Sequence, residues 1–245
     1  MTPTRRIPLV LAWALALWLP VQALAYDQNR VATDEAGRPL RIQGSVVVIE
    51  PDIELSEVTA GGLQEPRREW SDAARRHFPA EVGRLLDDGG TARRPDFDLP
   101  DALPPESRLG QVVRLNEAVA TSIAVYTRSG SYLATKDRRL DWTLGPGVGV
   151  LREATGADYA LFTYIRDSYA SSGRKAMRVL GFLAGAAMGG YVDIGGGQQI
   201  GVATLVDLRT GQVVWFNLMS NQSGDLRDAE GAARTVDEML SGLPL

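Results

Sequence analysis

Val46-Val47-Val48-Ile49 is an unbroken β-branched run stopped by Glu50-Pro51, the pattern of a strand covered on both faces. The run therefore belongs in the middle of a sheet. Ile53, Leu55 and Val58 then alternate with Glu54 and Glu57 up to Gly61-Gly62, which predicts extended chain with one wet face. From Glu65 to Leu86 the period changes to three and four: Trp70, Ala73, Ala74, His77, Phe78, Val82, Leu85 and Leu86 form one stripe of an amphipathic helix. Pro79 falls inside it and kinks or interrupts it.

A second helix is predicted from Ser107 to Arg128, with Leu109, Val112, Val113, Asn116, Val119, Ala120, Ile123 and Tyr126 along one side. The Pro- and Asp-rich stretch before it leaves room for one short strand near Phe97. A short helical stretch ends at Thr155, and Gly156-Ala157-Asp158 launches the strand-forming run Tyr159 to Ile165. The polar segment from Ser168 to Lys175 reads as mobile. Ile200 to Leu208 alternates, and Arg209-Thr210-Gly211 can reverse it into Val213-Val214-Trp215-Phe216, giving an antiparallel hairpin. In that turn Asp207 and Arg209 fix the reversal, Thr210 bonds locally and Gly211 is free to take positive φ. Ala229, Ala232, Ala233, Val236, Leu240 and Leu243 make a closing helix. This order predicts an α+β domain: a mixed, partly antiparallel sheet covered by helices, with a three-layer α/β/α arrangement as one form it allows.

The first 25 residues follow another grammar. Arg5 and Arg6 precede an apolar core from Ile7 to Leu19, Pro20 breaks it, and Ala23-Leu24-Ala25 matches a small-x-small cleavage site ahead of Tyr26. The apolar core is short against the roughly 20 residues of a membrane-spanning helix. A secretory signal peptide cleaved after Ala25 and a periplasmic location are therefore expected. The remaining chain divides into an arm, 26–42, and a single domain, 43–245, with an apolar Gly-rich insert at 179–197. The whole chain carries 26 basic and 30 acidic residues, net -4, and no cysteine. Cleavage would remove two arginines and leave the protein more acidic, which disfavours nucleic acid as a partner. The missing thiols exclude zinc fingers and thiol enzymes and fit an oxidising compartment.

The segments Gly156-Ala157-Asp158-Tyr159, Val206-Asp207-Leu208-Arg209-Thr210-Gly211 and Val213-Val214-Trp215-Phe216-Asn217 resemble the closing half of the curli-secretion-lipoprotein-like superfamily of bacterial envelope proteins, which includes penicillin-binding-protein activator lipoproteins. The resemblance implies a non-enzymatic α/β module that binds other envelope proteins. The chain departs from the lipoprotein members in having no cysteine at the cleavage site, so the form implied is soluble and periplasmic.

Chemistry has few candidates. His77 is the only histidine and shares a stripe with Phe78. Gly145-x-Gly147-x-Gly149 and Gly195-Gly196-Gly197 lack the spacing or the Lys-Ser/Thr ending of phosphate loops. No metal, cofactor or catalytic residue is expected. An alternative reading, a carboxylate-dependent hydrolase of envelope polymers, would need two of Asp158, Asp167, Asp193 and Asp207 to converge. The unusual segment is Val179 to Val192, uncharged and with Gly181, Gly185 and Gly189 at every fourth position. It reads as a buried crossover, an exposed protein-contact segment or a shallow membrane-contact hairpin. The expected contact surface is Phe182, Leu183, Met188 and Tyr191, serving envelope proteins, self-association or peripheral membrane contact.

Overall fold

In the computed structural model, residues 29–128, 133–187 and 197–245 are described, with the backbone alone for residues 183, 184, 186 and 187. A mixed sheet runs through the middle in the order β1 (Arg30–Val31), β7 (Val213–Met219), β6 (Gln199–Asp207), β5 (Tyr159–Ala170), β3 (Asp52–Val58), β4 (Gln64–Pro66), with β2 (Val46–Val48) also on β5. β1–β7, β7–β6, β6–β5 and β3–β4 are antiparallel, whereas β2 and β3 run parallel to β5. The sheet is thus largely antiparallel and the class is α+β.

β2 and β3 form one path along β5 with an extra residue in it. Val48 pairs with Leu161 and Asp52 with Tyr164, so four steps on one side meet three on the other. Pro51 sits in this irregularity, where a missing amide donor costs no ladder bond. The other edge of β2 is closed by the predicted short stretch near Phe97: Arg94 N–H donates to the Val46 carbonyl and Phe97 N–H to the Val48 carbonyl. That is why the valine run is buried on every side.

Period-two alternation sends the side chains of β5 to two cores. Leu161 and Ile165 join Ile53, Leu55, Leu205 and Trp215 under α1 (Arg68–Asp88) and α5 (Ala229–Met239). Ala160 and Phe162 join Val47, Ile49, Val206 and Phe216 under α2 (Arg108–Arg128) and α3 (Gly149–Thr155). α1 runs unbroken through Pro79, and its first predicted residues, Glu65 and Pro66, belong to β4 instead, because they pair with Glu57 and Ser56. Ser71 Oγ accepts the Leu55 N–H at 2.9 Å and ties α1 to the sheet. Asp228 caps α5 by accepting the Gly231 N–H at 2.7 Å. On the opposite face, Thr204 Oγ1 donates to Asn116 Oδ1 at 2.8 Å, a buried bond that pins α2 to β6.

The segment from Ser168 to Lys175 departs from the sequence reading. β5 continues to Ala170 along β3, pairing Ser168 with Ser56 and Ala170 with Val58. Helix α4 (Ser172–Ala187) starts two residues later, with Ser171 Oγ accepting the Arg174 N–H at 3.1 Å. Polarity suggested motion, but the cross-strand partner that orders this stretch lies over a hundred positions away in sequence and leaves no local mark.

Candidate functional site

α4 connects two adjacent antiparallel strands without lying across the sheet. Its first turn rests on the β3–β4 turn, where a Cβ on Gly173 would come 3.2 Å from the Ala60 Cβ. Along the helix, Arg174 and Gly181 are half-buried and Gly185 is buried. They recur at helical spacing and mark the side turned to the protein. The glycines allow that side to approach closely.

Away from that side the helix is apolar and open to solvent. Met177, Val179, Leu180 and Phe182 are 43%, 59%, 59% and 55% exposed, and they are four of the seven large hydrophobic side chains exposed among the described residues. A helix of a globular protein ordinarily turns its apolar stripe inward; this one turns it outward. Lys175, Val179 and Phe182 follow one another at four- and three-residue steps, so Lys175 stands in the apolar stripe, while Arg178, one turn before Phe182, stands where that stripe meets the covered side. α4 has no acidic residue. Among the expected contact residues, Phe182 is on this exposed face, Leu183 is in α4, and Met188 and Tyr191 lie outside the described residues.

Beside α4 lies a polar pocket of about 520 Å³, bounded by Trp70, Tyr169, Lys175, Arg178, Ser223 and Arg227. The Arg227 guanidinium covers both rings, 4.1 Å from the Tyr169 centroid and 4.6 Å from that of Trp70. Arg227 also donates to both carboxylate oxygens of Asp225, which holds that carboxyl below the usual range. Beneath Tyr169 is Asp167, 2% exposed. Tyr169 Oη donates to Asp167 Oδ2 at 2.5 Å and Gln199 Nε2 donates to the same oxygen at 2.8 Å, while Oδ1 is buried with no partner among the described residues. Burial raises the Asp167 carboxyl to about 6, with the two hydrogen bonds pulling the other way. The cluster tethers the loop after β7: Gln199 Oε1 accepts from Ser223 N–H and Tyr169 Oη accepts from Leu226 N–H, each at 3.0 Å.

Asp167 was legible as an acid but not as a buried one. Its signal was the alternation Leu161, Thr163, Ile165, Asp167, Tyr169, which puts an acid in phase with core positions. The acids of the hydrolase reading do not all converge: two stand together, each engaged by backbone N–H donors, and Asp167 lies apart. Asp158 and Asp207 stand at one end of β5, since Tyr159 pairs with Asp207. Asp167 is eight residues along the strand from that pair, about 26 Å away. Asp158 accepts from the Ser45 N–H and hydroxyl, which keep it ionised. Asp193 lies outside the described residues. His77 is half-buried on α1, and among the described residues no three His, Cys, Asp or Glu side chains cluster closely enough to hold a metal ion.

In the β6–β7 turn, Asp207 Oδ1 accepts from the N–H of Arg209 and of Thr210, at 2.7 and 3.1 Å. Arg209 pairs with the same carboxylate, Thr210 Oγ1 accepts the Gln212 N–H, and Gly211 has φ +80. A Cβ at Gly211 would meet the Gly145 carbonyl oxygen, so this reversal also seats the loop before α3.

On the α2 side a second cavity, about 340 Å³, opens between α2 and the sheet, floored by Phe162, Val202 and Leu218. Small residues on α2, Ala120 and Ala124, leave this room. Glu50, Asp52 and Glu117 stand at its margin, with Arg128 at the end where α2 finishes.

No protein-family model matches the chain, and no curated protein does. Among solved structures, the crystal structure of lipoprotein GNA1162 from Neisseria meningitidis is weakly similar: TM-score 0.29, 14% identity, over 73% of this chain and 81% of that one. That similarity is to a bacterial lipoprotein and not to a particular curli-secretion branch, and at that score it carries no inference about role. The segments on which the sequence resemblance is drawn form the C-cap of α3 with the start of β5, the β6–β7 turn, and β7. Among the described residues no helix is long and apolar enough to cross a membrane.

Proposed function

We propose that the protein is exported to the periplasm and serves as a non-catalytic binding module of the cell envelope, docking through the outer face of α4. The observation that carries this reading is the outward apolar side of α4, with Val179, Leu180 and Phe182 each more than half exposed. Fully burying an apolar side chain of this size is worth about 1.5–3 kcal/mol, of which roughly half is forgone at this exposure, and a contiguous patch of them marks a contact surface. The signal-like first 25 residues and the absence of cysteine supply the compartment in this reading. Phe182, Leu183, Met188 and Tyr191 are its proposed contact residues, extended by Val179 and Leu180. Asp207, Arg209, Thr210 and Gly211 are proposed as a structural turn only.

Leu180→Asp tests the reading. The variant should fold with an unchanged far-UV spectrum, yet the share of exported protein that sediments with washed envelopes should fall at least severalfold. Sedimentation equal to wild type, with native folding, would remove α4 as the docking element.

A further inference from the structure

We infer that the component α4 docks on is a second copy of this chain, whose α2-side cavity receives it. The inference rests on the α4 reading above and adds the partner. The two surfaces sit on opposite sides of the sheet. α4 borders a pocket shared with Trp70 and Tyr169, which pack with the α1/α5 core, whereas the cavity opens under α2. They are therefore placed to meet between protomers.

Their chemistry is complementary. α4 offers an apolar stripe with Lys175 in it and Arg178 at its edge, neither of which forms an ion pair with another described residue. The cavity offers an apolar floor of Phe162, Val202 and Leu218 with Glu117 at its margin, an acid that is likewise without an ion pair. Glu50 adds a second carboxylate to that margin. Arg128, the cation of the rim, stands eleven residues beyond Glu117 along α2, about 16 Å. Orientation accommodates it: with α4 parallel to α2, the cationic first half of α4 lies by Glu117 and Glu50, and its carbonyl-rich C-terminal end, the negative end of the helix dipole, points toward Arg128.

A contact between two different patches is heterologous, so each protomer keeps one free donor helix and one free cavity, and association continues until a ring closes or a filament grows.

Two single variants and their mixture decide the matter, using the protein purified in its exported form and analytical ultracentrifugation. Leu180→Asp disables the helix; Thr121→Trp, at an exposed position on the cavity wall, fills the cavity without touching the core. Wild type should form dimers and larger species, and each variant alone should be monomeric. An equal mixture should give 1:1 dimers and nothing larger, since one intact helix meets one intact cavity. Glu117→Lys should weaken wild-type association, and Lys175→Glu added to it should restore association.

A mixture that stays monomeric overturns the inference, and Thr121→Trp that still dimerises on its own overturns it in favour of symmetric α4–α4 pairing. Wild type that is monomeric at high micromolar concentration, while Leu180→Asp still loses envelope sedimentation, overturns the inference and leaves the docking reading standing. Flotation of wild type, but not Leu180→Asp, with phosphatidylglycerol vesicles, in the absence of self-association, overturns it in favour of a lipid surface.

Discussion

The difference in stability between Asp167→Asn and wild type should grow as pH rises from 4 to 7.5, in the variant's favour, by about 2–2.5 kcal/mol. Burial holds the Asp167 carboxyl at about 6, against 3.8 for the same group in solvent. Between those values the folded chain keeps a proton that the unfolded chain has released. A folded-state pKa that is raised gives a contribution complete below about pH 4 and lost as pH climbs through about 6. Two pH units correspond to about 3 kcal/mol over the full titration, and the part lost by pH 4, just above the solvent value, leaves about 2–2.5 kcal/mol. Asn keeps an acceptor for Tyr169 Oη and Gln199 Nε2 and cannot ionise, so it removes this slope. Asp158 and Asp225, held low by Ser45 and Arg227, act with the opposite sign: their stabilisation is present above the unfolded value and is lost in acid. The paired comparison cancels them. Urea midpoints for both proteins across the range measure the effect, and parallel curves would show that Asp167 is not held in the environment described.

The same substitution, leucine to alanine, should have opposite consequences at two positions. Leu161 is fully buried in β5 beneath α1 and α5, and Leu161→Ala should cost about 2–5 kcal/mol through lost burial and the cavity left behind. Leu180 is 59% exposed on α4, and Leu180→Ala should change stability by no more than about 0.5 kcal/mol. Denaturant unfolding of the two variants is the measurement. A cost at Leu180 comparable to that at Leu161 would place α4 in a core, and the docking proposal would lose its physical basis.

Much of the fold was legible because it follows from local periodicity. The α2 stripe from Leu109 to Tyr126, the alternation of Ile200 to Leu208 and the cluster Arg209-Thr210-Gly211 each state their element without reference to distant residues. Gly156, left-handed at φ 64 at the end of α3, is legible for the same reason. Features decided by distant partners were hidden. β4 exists because Glu65 meets Glu57 across a turn, and the last residues of β5 are extended because β3 lies beside them. Neither interaction alters the local pattern. The α2-side cavity depends on where Ala120 and Ala124 fall over β6, which no single segment encodes. The outward apolar face of α4 was half legible: composition marked residues 179–192 as unusual, but hydrophobicity alone cannot say whether such a face looks inward or outward. Only the covered side, Gly181 and Gly185, settles the orientation of the helix.

Site-specific photocrosslinking in living cells tests the central claim most directly. A photoreactive residue at position 180 should give a discrete, higher-mass adduct in the envelope fraction. The same residue at position 35, exposed in the turn after β1 at the far edge of the sheet, should give none. Adducts of equal yield from both positions, or none from position 180 while the protein remains folded and exported, would contradict the account.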